Sequence, residues 1–154
     1  MTPEAAGAGT SWAWPAAPRR VVVTGMGMLT ALGNDVESTW EGMVAGRSGI
    51  APIAAFDPSR LQARLAGEVK DFDASGVLDK KDMRRFDRYI QFGLVVARQA
   101  MDQAGLPARV EGDLAERTGV ILGTGLGGVD TLDQNISTNA TRGPDRIRSR
   151  TLIM

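Results

Sequence analysis

The chain has neither cysteine nor histidine anywhere in its 154 residues. Without cysteine there is no thiolate nucleophile and no disulfide, which excludes a disulfide-built secreted fold. Without histidine there is no imidazole base, and with both missing the usual soft-metal ligand set is gone as well. Charge of one sign is also lacking: Lys+Arg and Asp+Glu each number 18, for a formal net charge of zero. No global field therefore draws the chain to nucleic acid or to an anionic membrane, and a charged partner must be met by a local patch. Lysine occurs only at Lys70, Lys80 and Lys81, against many arginines. No apolar run approaches the length of a membrane span of about 18 residues or more. Residues 1–18, rich in Ala, Gly and Pro with Trp12 and Trp14, lack the basic start and unbroken apolar stretch of a signal peptide. The expectation is a soluble, cytoplasmic chain with no nucleic-acid and no membrane partner, preceded by a flexible leader over 1–18.

What is present is ordinary for one globular domain: 43% hydrophobic and 23% charged residues. After Arg19-Arg20, the β-branched run Val21-Val22-Val23-Thr24 ends at Gly25. It does not alternate, which suits a strand buried on both faces of a parallel sheet. Asn34 or Asp35 can cap a helix over 36–45, with Glu37 as a capping-box partner of Asn34 and Gly46 as its stop. Between residues 49 and 78 the pattern is irregular, with Pro52, Asp57-Pro58 and a short strand near 65–69. A long helix is then expected over 80–103, with Met83, Phe86, Ile90, Leu94, Ala97 and Met101 on one face and Gly105 and Pro107 as terminators. Thr118-Gly119-Val120-Ile121-Leu122 reads as a second buried strand, and a helix follows over 129–139. Alternating strands and helices without an internal repeat argue an α/β fold.

Between that second strand and its helix lies Gly123-Thr124-Gly125-Leu126-Gly127-Gly128. Its G-x-G-x-x-G spacing fits a dinucleotide-binding loop, where backbone N–H groups meet a pyrophosphate. Against this, the acidic ribose ligand expected about twenty residues on finds only Asp145, in a basic loop. Glycine also permits positive φ and close backbone packing with no ligand at all. Both readings stand at this point. Gly25-x-Gly27 followed by Gly33 resembles the same motif but misses the third spacing.

The order of several short motifs is more specific than any one of them. Arg19-Arg20-Val21-Val22-Val23-Thr24-Gly25-Met26-Gly27-Met28-Leu29, Gly33-Asn34, Glu37-Ser38-Thr39-Trp40, Gly46-Arg47-Ser48-Gly49-Ile50, Val69-Lys70-Asp71-Phe72 and the Gly123–Gly128 loop together resemble the β-ketoacyl-ACP synthase II group of the thiolase-fold condensing enzymes. The resemblance runs over 19–147 and covers an amino-terminal portion only. It implies a partial thiolase-like α-β-α-β-α layered fold, the first half of a duplicated core, and a homodimer or pairing with a full-length synthase subunit. By the same resemblance the activity is that of an acyltransferase in lipid metabolism. Such a 3-oxoacyl-ACP synthase condenses acyl-ACP with malonyl-ACP by decarboxylative Claisen chemistry, in fatty-acid or polyketide biosynthesis. The family's Cys takes the acyl group and two His assist decarboxylation, all downstream of the region covered here. The resemblance therefore implies a chain with no catalytic residues, no metal site and no bound cofactor, inactive alone, whose substrates ride on the phosphopantetheine of acyl carrier protein.

Residue by residue, the resemblance places Lys81, Arg84 and Arg85 in the patch that receives the carrier protein. Cations at i, i+3 and i+4 share one helix face, which is equally the pattern of a solvated helix. Leu126 falls where the family sets an apolar residue against the growing acyl chain, which makes it the acyl-pocket candidate; the alternative is a packing leucine beside a tight turn. Arg146 carries a docking role that its neighbours weaken. After Gly143-Pro144-Asp145-Arg146-Ile147 the family continues with Ser-Pro and an aromatic-rich segment, whereas here 148–154 run Arg-Ser-Arg-Thr-Leu-Ile-Met, an expected divergent or truncated tail. A non-catalytic module that docks carrier protein or a synthase subunit, and a dinucleotide-binding domain at the Gly123 loop, are the alternative functions.

Overall fold

The computed structural model describes residues 20–147. The expected leader over 1–18 and tail over 148–154 lie outside the described residues. In order, the elements are helix α1 (Val36–Val44), strands β1 (Ile50–Pro52) and β2 (Leu65–Gly67), helix α2 (Lys80–Met83), helix α3 (Arg88–Gln103), helix α4 (Gly112–Glu116), helix α5 (Val129–Arg142) and a 3-10 turn at Pro144–Arg146.

Helix α1 forms where its cap predicts. Asp35 is extended, and its carboxylate accepts from the Ser38 amide at 2.7 Å, so Asp35 rather than Asn34 is the cap. The Asn34 side chain turns instead to the excursion, its Nδ2 donating to the carbonyls of Lys70 at 2.8 Å and Asp71 at 3.3 Å. That pins the irregular segment at Asp71, whose φ of 51° places a non-glycine residue in the left-handed region. The excursion's only ladder among the described residues is antiparallel, with Ile50 opposite Gly67 and Pro52 opposite Leu65. Glu68 closes it, one carboxylate oxygen accepting from the Ala54 amide and the other from the Ala55 amide, each at 3.0 Å.

Helix α3 is the element on which the others lean. Its Gln103 and Gln99, one turn apart, accept through Oε1 from the amides of Met26 at 2.6 Å and Met28 at 2.9 Å. The match is geometric: four helical residues rise about 6 Å, and two extended residues about 6.7 Å. Gln99 also donates to the Asn34 carbonyl at 2.7 Å. This contact requires Gly25 and Gly27. A Cβ at Gly25 would lie 2.0 Å from the Ala100 carbonyl oxygen, and one at Gly27 2.1 Å from that of Val96. The first glycine pair of the sequence is therefore a helix-packing device. At the other end of α3, the Arg88 guanidinium lies 5.6 Å from the Phe72 ring centroid and 5.1 Å from that of Phe92, and donates to the Val69 carbonyl at 2.8 Å. Phe72 and Phe92 meet edge to face, with centroids 4.7 Å apart.

Two expectations are corrected here. Residues 21–24 and 118–122 are not strands: neither joins a ladder among the described residues. Val21 is 91% and Ile121 99% exposed. A buried parallel strand needs neighbours on both edges and cover on both faces, and β-branched composition supplies neither. Each segment has a foothold on α3, through the adjoining Gly25 and Gly27 in one case and through Leu122 against Gly93 in the other. The single helix expected over 80–103 is also two helices. Asp87 is extended at ψ 155° and opens α3 as its N-cap residue, while Arg84 closes α2. Periodicity alone does not register such a break, because Met83, Phe86 and Ile90 keep helical spacing across it. Packing is correspondingly open. Ala74 is the only buried apolar residue among those described, with Thr39 and Asn135 as buried polar ones.

The Gly27→Ala chain should lose about 1–3 kcal/mol of stability through overpacking against α3, read as an earlier loss of helical circular dichroism in urea. Gly76→Ala, where a Cβ meets nothing within 4 Å, serves as the control and should melt with the parent. Equal midpoints for all three chains would refute the packing role.

Candidate functional site

A recess at the start of α3 lies beside one predicted site residue. It holds about 230 Å³ and is lined by Asp87, Arg88, Tyr89 and Phe92 from the start of α3, by Leu126 and Gly128 from the glycine loop, and by Val129 and Asp130 from the start of α5. Two contacts set its shape. Thr131 donates its hydroxyl to Asp87 Oδ1, tying α5 to α3. A Cβ at Gly127 would stand 2.7 Å from the Tyr89 ring, so only glycine lets the loop lie on that ring. Gly128 then takes φ 69° and opens α5 in the left-handed conformation. Packing thus accounts for Gly127 and the left-handed backbone for Gly128, whereas Gly123 and Gly125 face open space and are not in the left-handed region. The dinucleotide reading also needs a paired strand before the loop, and residues 118–122 form none among the described residues.

Leu126 lies at the mouth of the recess, 76% exposed. The predicted cations line no part of it. Lys81 lies in α2, Arg84 is its C-cap, and Arg85 follows in the turn, all three exposed. They do not share a continuous helix face as the sequence suggests, because α2 ends at Met83. Arg84 Nε donates to the Lys80 carbonyl at 3.1 Å, and Arg85 sits 3.6 Å from Asp82. Arg146 is exposed in the 3-10 turn that follows α5. Sequence reasoning missed Asp87, Arg88, Tyr89 and Phe92. The Tyr89 to Phe92 and Arg88 to Phe92 spacings of three and four were a readable signal for one aromatic and cationic helix face.

The electrostatics do not mark a catalytic group. Asp35 is held below the ordinary carboxylate range first by the Ser38 hydroxyl and then by the Ser38 amide. Asp73 is lowered in the same way by the Ser75 hydroxyl and amide, and Glu68 by the amides of Ala54 and Ala55. All three are turn or cap carboxylates, and none of them lines the recess. Among the described residues no group of three or more His, Cys, Asp or Glu side chains could hold a metal ion, and no helix is long and apolar enough to cross a membrane. The arrangement offers a recess with an apolar lip and aromatic walls, a guanidinium and carboxylates. It can bind; it supplies no nucleophile.

Residues 18–152 match the family model described as the N-terminal domain of β-ketoacyl synthase. The chain belongs to the β-ketoacyl synthase family, in its N-terminal domain. Over 129 residues it is 45% identical to "3-oxoacyl-[acyl-carrier-protein] synthase 2" of Vibrio harveyi, covering 84% of this chain and 31% of that protein. It is 43% identical over 129 residues to the protein of the same name from Synechocystis sp., covering 83% and 30%. Among solved structures it is similar to "The ishigamide ketosynthase/chain length factor", with TM-score 0.70, 29% identity, and coverage of 89% of this chain and 34% of that one. The likeness to a ketosynthase bears out the expected partial thiolase-like α/β fold. The chain spans about a third of the length of the curated relatives it matches.

The lowered Asp35 carboxyl sets an acid limit for α1. Its folded pKa lies below the unfolded value of about 3.8, so its contribution is complete above that value and fades as the pH falls through the folded pKa. Helical circular dichroism should decline over that window. Asp35→Asn, which retains an N-cap acceptor without the charge, should flatten the decline. An unaltered acid profile in Asp35→Asn would show that the cap does not govern it.

Proposed function

We propose that these residues serve a 3-oxoacyl-ACP synthase, in which they supply the scaffold, one wall of the acyl site and a docking surface for acyl carrier protein. The observation that supports this reading most directly is the collinear match over 129 residues, at 45% identity, to a protein named for that activity. The reaction is a decarboxylative Claisen condensation of acyl-ACP with malonyl-ACP in fatty-acid biosynthesis. It needs a thiolate nucleophile, oxyanion donors and imidazoles for the enolate. None of the 154 residues is Cys or His, so these groups do not come from this chain. What the chain offers is complementary to the substrate. The recess behind Leu126 is lined by Tyr89 and Phe92 and suits an apolar acyl tail. Lys81, Arg84 and Arg85 stand exposed on the same segment that leads into α3, where an acidic carrier protein would meet them. The phosphopantetheine arm belongs to that carrier, and no cofactor of the chain's own is part of this reading. Arg146 is a further docking candidate, exposed beyond α5.

The second reading, an interaction module that pairs with a synthase subunit, is favoured by one observation. The extended segments 21–24 and 118–122 leave backbone edges and β-branched side chains open, the condition under which another polypeptide adds to a sheet.

Incubated with acyl-ACP and malonyl-ACP, the chain by itself should give no β-ketoacyl product, and robust turnover would overturn the division of labour proposed here. Reversing Lys81 and Arg84 together to Glu should weaken binding of acyl carrier protein about tenfold at low ionic strength. The difference should shrink as salt screens it. A Kd unmoved by the reversal would remove α2 from the docking surface.

A further inference from the structure

The recess owes its shape to contacts outside its apolar lining, and these point to a positioning device. Thr131 lies in the first turn of α5, three residues beyond Gly128, and donates its hydroxyl to Asp87 Oδ1. Asp87 is the N-cap residue of α3, although its side chain makes no cap hydrogen bond there. Its carboxylate is given over to the neighbouring helix. The other oxygen, Asp87 Oδ2, is buried with no hydrogen-bond partner among the described residues. The Thr131 hydroxyl is thus the one donor seen on a carboxylate that is largely out of water, and removing it would leave both oxygens unsatisfied. Two residues along α3, Tyr89 presses its ring against Gly127. Asp87 and Tyr89 therefore hold the glycine loop at two points, one polar on α5 and one aromatic beneath the loop, and Leu126 is the residue immediately before the second point.

We infer that the Asp87–Thr131 bond, together with the seat of Gly127 on Tyr89, positions the Gly123–Gly128 loop so that Leu126 sets the depth of the recess, making Asp87 and Thr131 specificity-positioning residues for the acyl chain. This rests on the acyl reading of the recess given above. Thr131 is absent from the lining, and Asp87, which lines the recess, has its Oδ2 shielded. Their shared bond acts through the loop. A loop held at both points leaves one fixed depth, whereas a loop released from α5 can move Leu126 toward or away from Phe92 and blur the choice between shorter and longer chains.

Tyr89 is the chain's only tyrosine, so 3-fluorotyrosine labelling gives a single fluorine resonance within the recess. The intact chain, Thr131→Val and Thr131→Ser would be compared without ligand and during titration with octanoyl- and dodecanoyl-pantetheine. Thr131→Val keeps the shape and loses the hydroxyl, and Thr131→Ser keeps the hydroxyl. The expected result is a displaced or broadened ligand-free resonance in Thr131→Val, with the parent position restored in Thr131→Ser. The preference between the two acyl lengths should collapse about fivefold or more in Thr131→Val alone. Gly127→Ala, which disturbs the second point independently, should move the resonance in the same way and serves if Thr131→Val loses its helical signal. A ligand-free resonance identical in parent, Thr131→Val and Gly127→Ala would overturn the positioning role. A displaced resonance with an unchanged length preference would overturn the specificity role. If the parent bound neither acyl-pantetheine, the acyl reading itself would fall and the specificity role with it, while the ligand-free spectra would still report whether the two contacts hold the loop.

Discussion

The close approach of backbone to backbone at Gly25 and Gly27 is the constraint on which the structure turns. Two missing Cβ atoms let an extended segment lie against α3, where any side chain would strike the carbonyls of Val96 or Ala100. Gln99 and Gln103 then convert proximity into register, since a helical turn and an extended dipeptide have nearly the same rise. Everything downstream inherits that placement. Asn34 is held by Gln99 and holds Asp71 in turn. Arg88 and Phe92 collect the end of the excursion at Val69 and Phe72. Tyr89 and Asp87 receive the glycine loop and α5. One helix of 16 residues thus organises contacts drawn from most of the described chain.

That same helix explains why so little is fully buried. Apolar side chains occur all round α3, at Ile90, Phe92, Leu94, Val95, Val96, Ala97 and Met101, and a helix of that kind is normally covered on every side. Here its side chains are mostly half-buried, and Leu94 and Ala97 are exposed. The two extended segments that lie on it expose Val21, Val22, Val23, Val120, Ile121 and Leu122. Apolar area on this scale is worth about 25 cal/mol per Å² when covered. The β-ketoacyl synthase relatives are some three times longer than the stretch matched.

Much of this was legible in the sequence where a local rule decides the outcome. The α1 helix, the strand near residue 65 and the α5 helix follow from caps, turn residues and periodicity, and α5 runs from Val129 as expected but ends later, at Arg142. The family was legible because many weak motifs occur in one order. The failures share a cause. Residues 21–24 and 118–122 have strand composition, but a ladder is a property of pairs, and no pattern within one segment reports whether a neighbour is there. The recess was missed for a related reason: Asp87, Arg88, Tyr89 and Phe92 lie far in sequence from Leu126, and only the contact of α5 with α3 brings them together. For α3 the spacing singles out one apolar stripe, although the continuous apolar run from Leu94 to Ala97 already signals more than one covered face.

The break at Asp87 separates two roles that a continuous helix would have fused. In a straight helix over 80–103, Lys81, Arg84 and Arg85 would share an axis with Tyr89 and Phe92, and the direction of the cations would be fixed by the packing of the aromatic residues. Instead α2 ends at Met83, and its freed carbonyls need partners. Gln91 supplies them from within α3, its Nε2 donating to Met83 O at 3.0 Å and to Phe86 O at 2.8 Å. The turn is therefore a satisfied structure rather than a frayed end. Asp87, extended and making no side-chain cap bond to its own helix, can reach Thr131. The cationic segment faces solvent, the aromatic segment faces the glycine loop, and a single glutamine holds the angle between them. On the proposed reading, with an acidic carrier protein met at the surface and an apolar acyl chain in the recess, that division puts each chemistry on the side where it would be used.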